Sequence, residues 1–569
     1  MRITLATLTI FSFLAQPTLG AIVNYSLDIR NARVAPDGFE RSIVSVNGLV
    51  PGTFIRANKG DTLHINVTNS LTDPTMRRAT TIHWHGLFQA ATADEDGPAF
   101  VTQCPISQNQ SYTYEIPLGD QTGTFWLVCW DVREGGVRFN PERLIGIMHI
   151  YQANTLMVFV GLWWYTVRTH KFQHMCSRRS QHVLHSDPED PHRALYDFDD
   201  ENTIIVLEDW YHTPAIQLEE QMFSTNNTDL LTPIPDCGLV NGKGRYVGGP
   251  RVDRAVINVE PNRRYRFRVI NTSAVAAFKF AIEGHRFTII EADGIPHEPL
   301  VVDNFDIYAG QRYSIILETN QTVANYWVSA PMDVFGAGTN PNLDTTNIYA
   351  VLRYEGAPDS EPTTEPLVPS GVALVEENLH AFVNPGAPGG DAPADVRVNL
   401  TIGRTTIDGQ IAFTFNDIRY HPPSLPTLLR ILSGNATVDG DFGADEHTLT
   451  LPHNKIIELA ITGGVNHPIH LHGHVFDVVQ SVGGTLNYAN PPRRDVVLVS
   501  SPGVILRFRT DNPGPWFVHC HIDWHLEAGL AMVFAEAPEE IRTGAQSVRP
   551  NNAWDQLCPK YQALPAELQ

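Results

Sequence analysis

The sequence predicts an all-β protein, and three observations carry that reading. Short β-branched runs at residues 62–67 (TLHINV), 265–270 (YRFRVI), 313–317 (YSIIL) and 504–508 (VILRF) alternate with clusters of Gly, Pro, Asn and Asp. The chain holds 42 Gly and 40 Pro in 569 residues, enough turn formers to separate many short strands. Helical periodicity is scarce. Short strands at regular spacing between turn signals are the pattern of β-sandwiches or barrels.

Length sets the domain count. A chain of 569 residues is too long for one hydrophobic core. Composition turns linker-like across residues 356–393, where GAPDSEPTTEP and NPGAPGGDAP flank a weakly patterned stretch, and again at 187–192 (DPEDPH). These breaks predict three β domains, residues 21–190, 191–356 and 357–569. The formal net charge of -22 argues against nucleic acid and anionic membranes as partners, and favours a soluble, self-repelling monomer.

The N-terminus predicts export. Arg2 provides a basic start, residues 3–15 (ITLATLTIFSFLA) form an apolar run too short to span a bilayer, and Thr18-Leu19-Gly20 offers small residues for cleavage. Residues 1–20 therefore read as a signal peptide and the mature protein as extracellular. Sequons at Asn24, Asn66, Asn109, Asn226, Asn271, Asn320, Asn399 and Asn435 agree with a secreted glycoprotein. The apolar run at 155–165 is about half the roughly 20 residues a spanning helix needs. Six cysteines stand at 104, 129, 176, 237, 520 and 558, and outside the cell four of them could form two bridges. Cys520 lies between two histidines, which suggests a ligand instead.

Three histidine-rich segments carry the chemistry. In Thr81-Ile82-His83-Trp84-His85-Gly86, a strand would turn both imidazoles to one face. In His467-Pro468-Ile469-His470-Leu471-His472-Gly473-His474, His470 and His472 share a face, while Pro468 can aim His467 elsewhere. The third segment is His519-Cys520-His521-Ile522-Asp523-Trp524-His525-Leu526. Begun as a strand, it points His519 and His521 one way and Cys520 the other. Thiolate plus imidazole is the ligand set of a blue copper centre, and Cys520, His525 and His467 can supply it. The flanking histidines would then hold separate copper ions on the opposite face.

These segments resemble three of the four copper signatures of fungal laccases, which are multicopper oxidases. The resemblance extends through residues 94–100 (DEDGPAF), Gln103-Cys104-Pro105, Asn241-Gly242-Lys243-Gly244-Arg245-Tyr246 and Cys558-Pro559. It implies three cupredoxin-like Greek-key β-sandwich domains and oxidation of phenols or aromatic amines by one-electron steps, coupled to reduction of dioxygen. It also implies four copper ions. Type 1 copper would take His467, Cys520 and His525, with Leu530 in the axial position. Type 2 would take His83 and His470, and type 3 would take His85, His472, His519 and His521. Asp96 and Asp523 resemble carboxylates that feed protons to the trinuclear cluster. Asp236 resembles a pocket acid that accepts the phenolic proton beside His525. Cys104 with Cys558, and Cys176 with Cys237, match the family's disulfides. Two other readings are a ferroxidase-like multicopper oxidase and a copper-binding protein inactive as an oxidase.

One signature departs from the family. Laccases carry a His-X-His shortly after a Gly-Thr-Phe-Trp-like strand, but here Gly123-Thr124-Phe125-Trp126 is followed by Leu127-Val128-Cys129. The pattern resumes at Asp187-Pro188. Within the gap, Trp164-Tyr165 looks like a second copy of the strand's end. His170 precedes Cys176 with the family's spacing, and Arg168 stands where the first histidine belongs. An insertion would retain His170 as a type 3 ligand. A translated intron or shifted frame would account for both the unpatterned residues and the sudden return of family sequence. Arginine cannot replace histidine, because its guanidinium stays protonated and has no free lone pair. The expectation is an irregular excursion over residues 127–186, without a well-packed core strand.

Overall fold

The computed structural model describes residues 20–49, 52–133, 136–139, 145–151, 157–160, 190–229, 231–335, 338–366 and 368–565. Six sheets occur among them, in three pairs along the chain. The first pair sets a four-stranded sheet, ordered Arg41–Val46, Ile22–Val34, Thr62–Asn69, Ser111–Pro117, against a second sheet. That second sheet runs Met157–Val160, Thr53–Asn58, Ile145–Tyr151, Gly123–Arg133, Thr80–His85. Strands from Ile204 to Tyr354 build seven- and six-stranded sheets, and strands from Val396 to Glu536 build six- and five-stranded ones. Neighbours in each sheet are often distant in sequence, as in the parallel pairing of Ile22–Val34 with Thr62–Asn69. Described helices are short; the longest, Ala215–Met222, has 8 residues.

Alternation explains the strands. In Thr62–Asn69 every second residue is buried, so one face meets the core and the other does not. One apolar cluster runs continuously from the first sheet pair into the third, whereas the second pair has its own. The first and third pairs are therefore packed directly on each other, and the histidine segments lie at their seam.

The sequence-stretch 127–186 differs from expectation wherever it is described. Residues 127–133 continue the strand Gly123–Arg133, which pairs with Gly136–Phe139. Ile145–Tyr151 fills the slot between Gly123–Arg133 and Thr53–Asn58, and Met157–Val160 extends the sheet beyond. The physical reason is that Thr53–Asn58 and Gly123–Arg133 would each leave a row of backbone donors and acceptors open, and an extended segment rich in Ile closes both. His170, Arg168 and Cys176 lie outside the described residues, as does the signal-peptide segment 1–19.

The linker-like stretch is tied down on both sides. The Val372 amide donates to Asp303 (2.6 Å) and Leu374 to the Asn304 carbonyl (2.9 Å), while Ala387 donates to the Tyr488 carbonyl (2.9 Å). Cys104 is bridged to Cys558, fastening the C-terminal helix Leu557–Gln562 to the first sheet pair. Cys237 donates to Asp37 (3.3 Å), and the Cys176 expected to pair with it lies outside the described residues. Of the sequons, Asn271 is fully buried and spends its amide hydrogens on the carbonyls of Ala276 and Ile307, so it cannot accept a glycan. Asn24, Asn109, Asn226, Asn320, Asn399 and Asn435 are exposed.

Candidate metal centre

The strand Thr80–His85 is buried along its whole length. Trp84 turns away and packs edge-on against Tyr114, which leaves His83 and His85 on the opposite face, toward the seam. From the other side come His467–Leu471 and Gly514–Cys520, paired antiparallel with His470 opposite His519 and Ile469 opposite Cys520. This register sets His470 and His519 side by side and directs Cys520 to the other face. The strand ends at Cys520; His521 follows in the turn, and the helix Asp523–Glu527 carries His525.

Two clusters result. On one face, the Cys520 Sγ lies 3.6 Å from His467 Nδ1 and 3.7 Å from His525 Nδ1, and the two nitrogens are 3.0 Å apart. Backbone bonds from Cys520 to Leu530 (3.1 Å) and from Leu530 to His525 (3.0 Å) fix this triangle, and Leu530 is fully buried in the same apolar cluster. On the opposite face, His85 stacks on His470 and His83 on His472, each with ring centroids 3.9 Å apart. His472 Nε2 meets His519 Nε2 at 3.1 Å, and His521 Nε2 meets His85 Nδ1 at 3.3 Å. All nine residues proposed from sequence as ligands are thus brought together, six histidines in one cluster and the Cys–His–His triangle in the other.

Carboxylates surround the larger cluster. Asp96 accepts from His472 Nδ1 (2.9 Å) and lies 3.2 Å from His83 Nδ1. Asp523 is fully buried at the first turn of the helix that bears His525. The Asp495 carbonyl accepts from His470 Nδ1 (2.8 Å), and its carboxylate lies 3.4 Å from His85 Nε2. That carboxylate is also held by Arg312 of the second sheet pair. Neither Asp495 nor Arg312 emerged from sequence reasoning: a lone Arg-Asp step between two short strands carries no spacing signal, and its partner is 183 positions away.

The donor set fits a soft cation. All eight histidines are at most 4% exposed. Burial holds His85, His470, His472 and His525 well below the ordinary imidazole range, and brings His467 down to about 4. Neutral imidazoles keep a lone pair for a metal. Burial also pushes the Cys520 thiol up, so without a cation it would stay protonated. His470 Nε2 is buried with no hydrogen-bond partner, a cost that ligation removes.

His467 and His525 form the floor of a cavity of about 610 Å³. Its walls include Leu231, Val334, Phe335 and Ile402, and Phe413 stacks on His525 with centroids 4.1 Å apart. Asp236 stands beside this cavity rather than in it. It lines an adjoining one that shares Leu231 and Thr232, and it accepts from the His212 amide (2.7 Å), Asn342 (2.8 Å) and Asn340 (3.1 Å).

Comparison with known proteins agrees with this arrangement. Three multicopper oxidase family models match residues 28–131, 201–357 and 420–540. The chain belongs to the multicopper oxidase family. Within it the similar proteins are fungal laccases: Laccase-4 of Thanatephorus cucumeris is 62% identical over 93% of each chain, and Laccase-2 of Agaricus bisporus is 44% identical over 96% of each. The crystal structure of the laccase from Botrytis aclada superposes with a TM-score of 0.76 at 26% identity, covering 96% of this chain and 92% of that one. That solved structure shares the paired-sheet architecture described above.

Proposed function

We propose that the protein is a laccase-type oxidase, which takes single electrons from phenols and aromatic amines and passes them to dioxygen. The observation that carries this reading is the His467–Cys520–His525 triangle at the floor of an apolar cavity, with a six-histidine cluster behind it. Bound copper would supply one-electron acceptance at the triangle and reduction of dioxygen to water at the cluster. His467, Cys520 and His525 would hold type 1 copper, His83 and His470 type 2, and His85, His472, His519 and His521 the type 3 pair, four ions in the family's full set. His525 presents its ring to the cavity, and Phe413 stacked behind it fixes the ring's plane. Cys520 is covalently continuous with His519 and His521, so few bonds separate cavity and cluster. Asp96 and Asp523 would hold protons beside the cluster, and Asp236 would take the phenolic proton from the adjoining cavity.

A ferroxidase needs carboxylates where Fe(II) would dock, and among the described residues none lines the His525 cavity. The exposed sequons and the Cys104–Cys558 bridge suit an oxidising, extracellular setting, and a net charge of -22 suits a monomer. No helix among the described residues is long and apolar enough to cross a membrane.

After Trp126 the family's set needs two imidazoles and this sequence offers at most His170, so the chain as written would bind type 1 copper and assemble a defective trinuclear cluster. The test is copper content, the blue absorption and oxygen uptake with a methoxyphenol and with Fe(II). The comparison chain has the aberrant segment deleted and His-Ser-His restored after Trp126. Blue colour with fewer than the full set of coppers, and recovered phenol turnover on repair, are the expected results. Equal oxygen uptake before and after repair would overturn the claim of damage, and Fe(II) turnover exceeding phenol turnover would overturn the laccase reading.

A further inference from the structure

Of the exposed sequons, Asn226 alone borders either cavity described above; it lines the one that adjoins the His525 cavity, with a volume of about 770 Å³. The loop that carries it is pinned. Its helix, Ala215–Met222, is fastened through Glu219 to Arg77 of the first sheet pair (2.5 Å). Past the helix, Asn227 donates to the carbonyls of Met222 (2.8 Å) and Leu231 (2.9 Å), and its side-chain oxygen accepts from the Leu231 amide (2.9 Å). The Asn226 amide donates to the Ser224 hydroxyl (3.2 Å). Asn227 thus spends its side chain on closing the loop, and Asn226 beside it is displayed on a fixed platform.

The adjoining cavity differs in character from the apolar one over His525. Its lining mixes Leu218 and Leu231 with Gln221, Ser224 and Thr232. A pyranose sugar presents the same mixture, an apolar face of C–H groups and a rim of hydroxyls. Thr232 adds a second, independent signal. It is 7% exposed and lines both cavities, and its hydroxyl is buried with no hydrogen-bond partner among the described residues. A ligand carrying donors and acceptors removes that cost.

We propose that Asn226 carries an N-linked oligosaccharide whose first sugars lie in this adjoining cavity and form its outer wall. The proposal rests on the extracellular reading above. In the covalent step, Asn226 Nδ2 loses a proton and bonds to the anomeric carbon of an oligosaccharide held on a polyprenyl diphosphate, and the diphosphate leaves. The folded chain must then leave room for the sugar, and the cavity at the attachment point provides it. Leu231 and Thr232 form the wall shared with the His525 cavity, so sugar packed on their far side supports the substrate site from behind. Asn320, Asn399 and Asn435 border neither cavity, so sugars there stand in solvent.

The test uses the full chain secreted from yeast and treated with peptide N-glycosidase under native conditions, with release followed by mass at each site. Asn226 is expected to be occupied and to lose its sugar about ten-fold more slowly than Asn320, Asn399 and Asn435, because docked sugar must first leave the cavity. Denaturing the chain should bring the four sites to one rate. Thr232→Val should quicken release at Asn226 and at no other site. Thr228→Ala deletes the sequon and keeps Asn226, and amide hydrogen exchange at Leu231, Thr232 and Asp236 should then speed up. Sugar at the other sites but none at Asn226, release at Asn226 as fast as elsewhere, or exchange unchanged by Thr228→Ala would overturn the proposal. Sugar at no sequon would overturn the extracellular reading together with it. These readouts need neither copper nor turnover, so they stand apart from the oxidase reading.

Discussion

Arg312 donates through both terminal guanidinium nitrogens to Asp495, at 2.5 and 2.7 Å, and both side chains are buried. Arg312 also donates to the Thr124 carbonyl at 3.0 Å, so one side chain of the second sheet pair touches the other two. Asp495 is the residue on which His470 and His85 rest. Arg312→Ala would leave a buried carboxylate uncompensated, at a cost of about 3–5 kcal/mol. Thermal unfolding should fall by on the order of 10 °C. Copper content of the six-histidine cluster should drop while the blue absorption persists. A melting temperature unchanged by the substitution would remove this pair from the architecture.

Cys520→Ser is expected to abolish the blue absorption and oxidase activity. A hydroxyl of similar size fills the same fully buried space, so the melting temperature should shift little, but it cannot form the copper–thiolate bond that gives the colour. An absorption spectrum decides this, and retained blue colour would sink the type 1 assignment.

Asp236→Asn keeps the side chain's shape but removes the base. In the repaired chain, phenol oxidation is expected to slow by about 10²-fold with a shifted pH optimum, and a substrate that loses an electron without a proton should be nearly unaffected. Steady-state kinetics on the two substrate types tests it. Because Asp236 occupies the adjoining cavity, the proton must cross past Leu231 and Thr232, so equal effects on both substrates would take Asp236 out of the chemistry.

His297 offers a pH dependence with a defined sign. It is fully buried; its Nδ1 donates to the Ile295 carbonyl (2.9 Å), and its Nε2 accepts from the Arg493 amide (3.3 Å). Burial lowers it to about 4, and the nearby guanidinium charges of Arg494 and Arg493 act in the same direction. A histidine depressed in the folded state contributes stability above its ordinary value near 6.5, and that stability is lost as pH falls through about 4. The full span is worth roughly 3 kcal/mol. His297→Asn keeps a donor for Ile295 and cannot titrate, so denaturant unfolding should show the variant closing on the unaltered chain by that amount between pH 7 and pH 4. Parallel stability curves across the range would exclude His297 as a source of acid lability.

Local periodicity made part of the site legible. His83 with His85, and His470 with His472, sit two apart on or beside strands, so a strand's alternation alone aligns them. Cys520 could be separated from His519 for the same reason. Arg312, Asp495 and Phe413 were illegible because each acts through tertiary pairing; Phe413 reaches His525 only after the chain has folded across more than a hundred residues. The strand Ile145–Tyr151 was missed because, in a stretch without family pattern, its value lay in the open edges of two distant strands and not in its own sequence.

His521 and His85 meet across 436 positions of sequence. A ribosome has nearly finished the chain before His519 and His521 exist, and a copy cut between His85 and His470 keeps only two of the cluster's six imidazoles. Metal loading at that cluster is thereby a test of completeness, since its two halves lie near opposite ends of the chain.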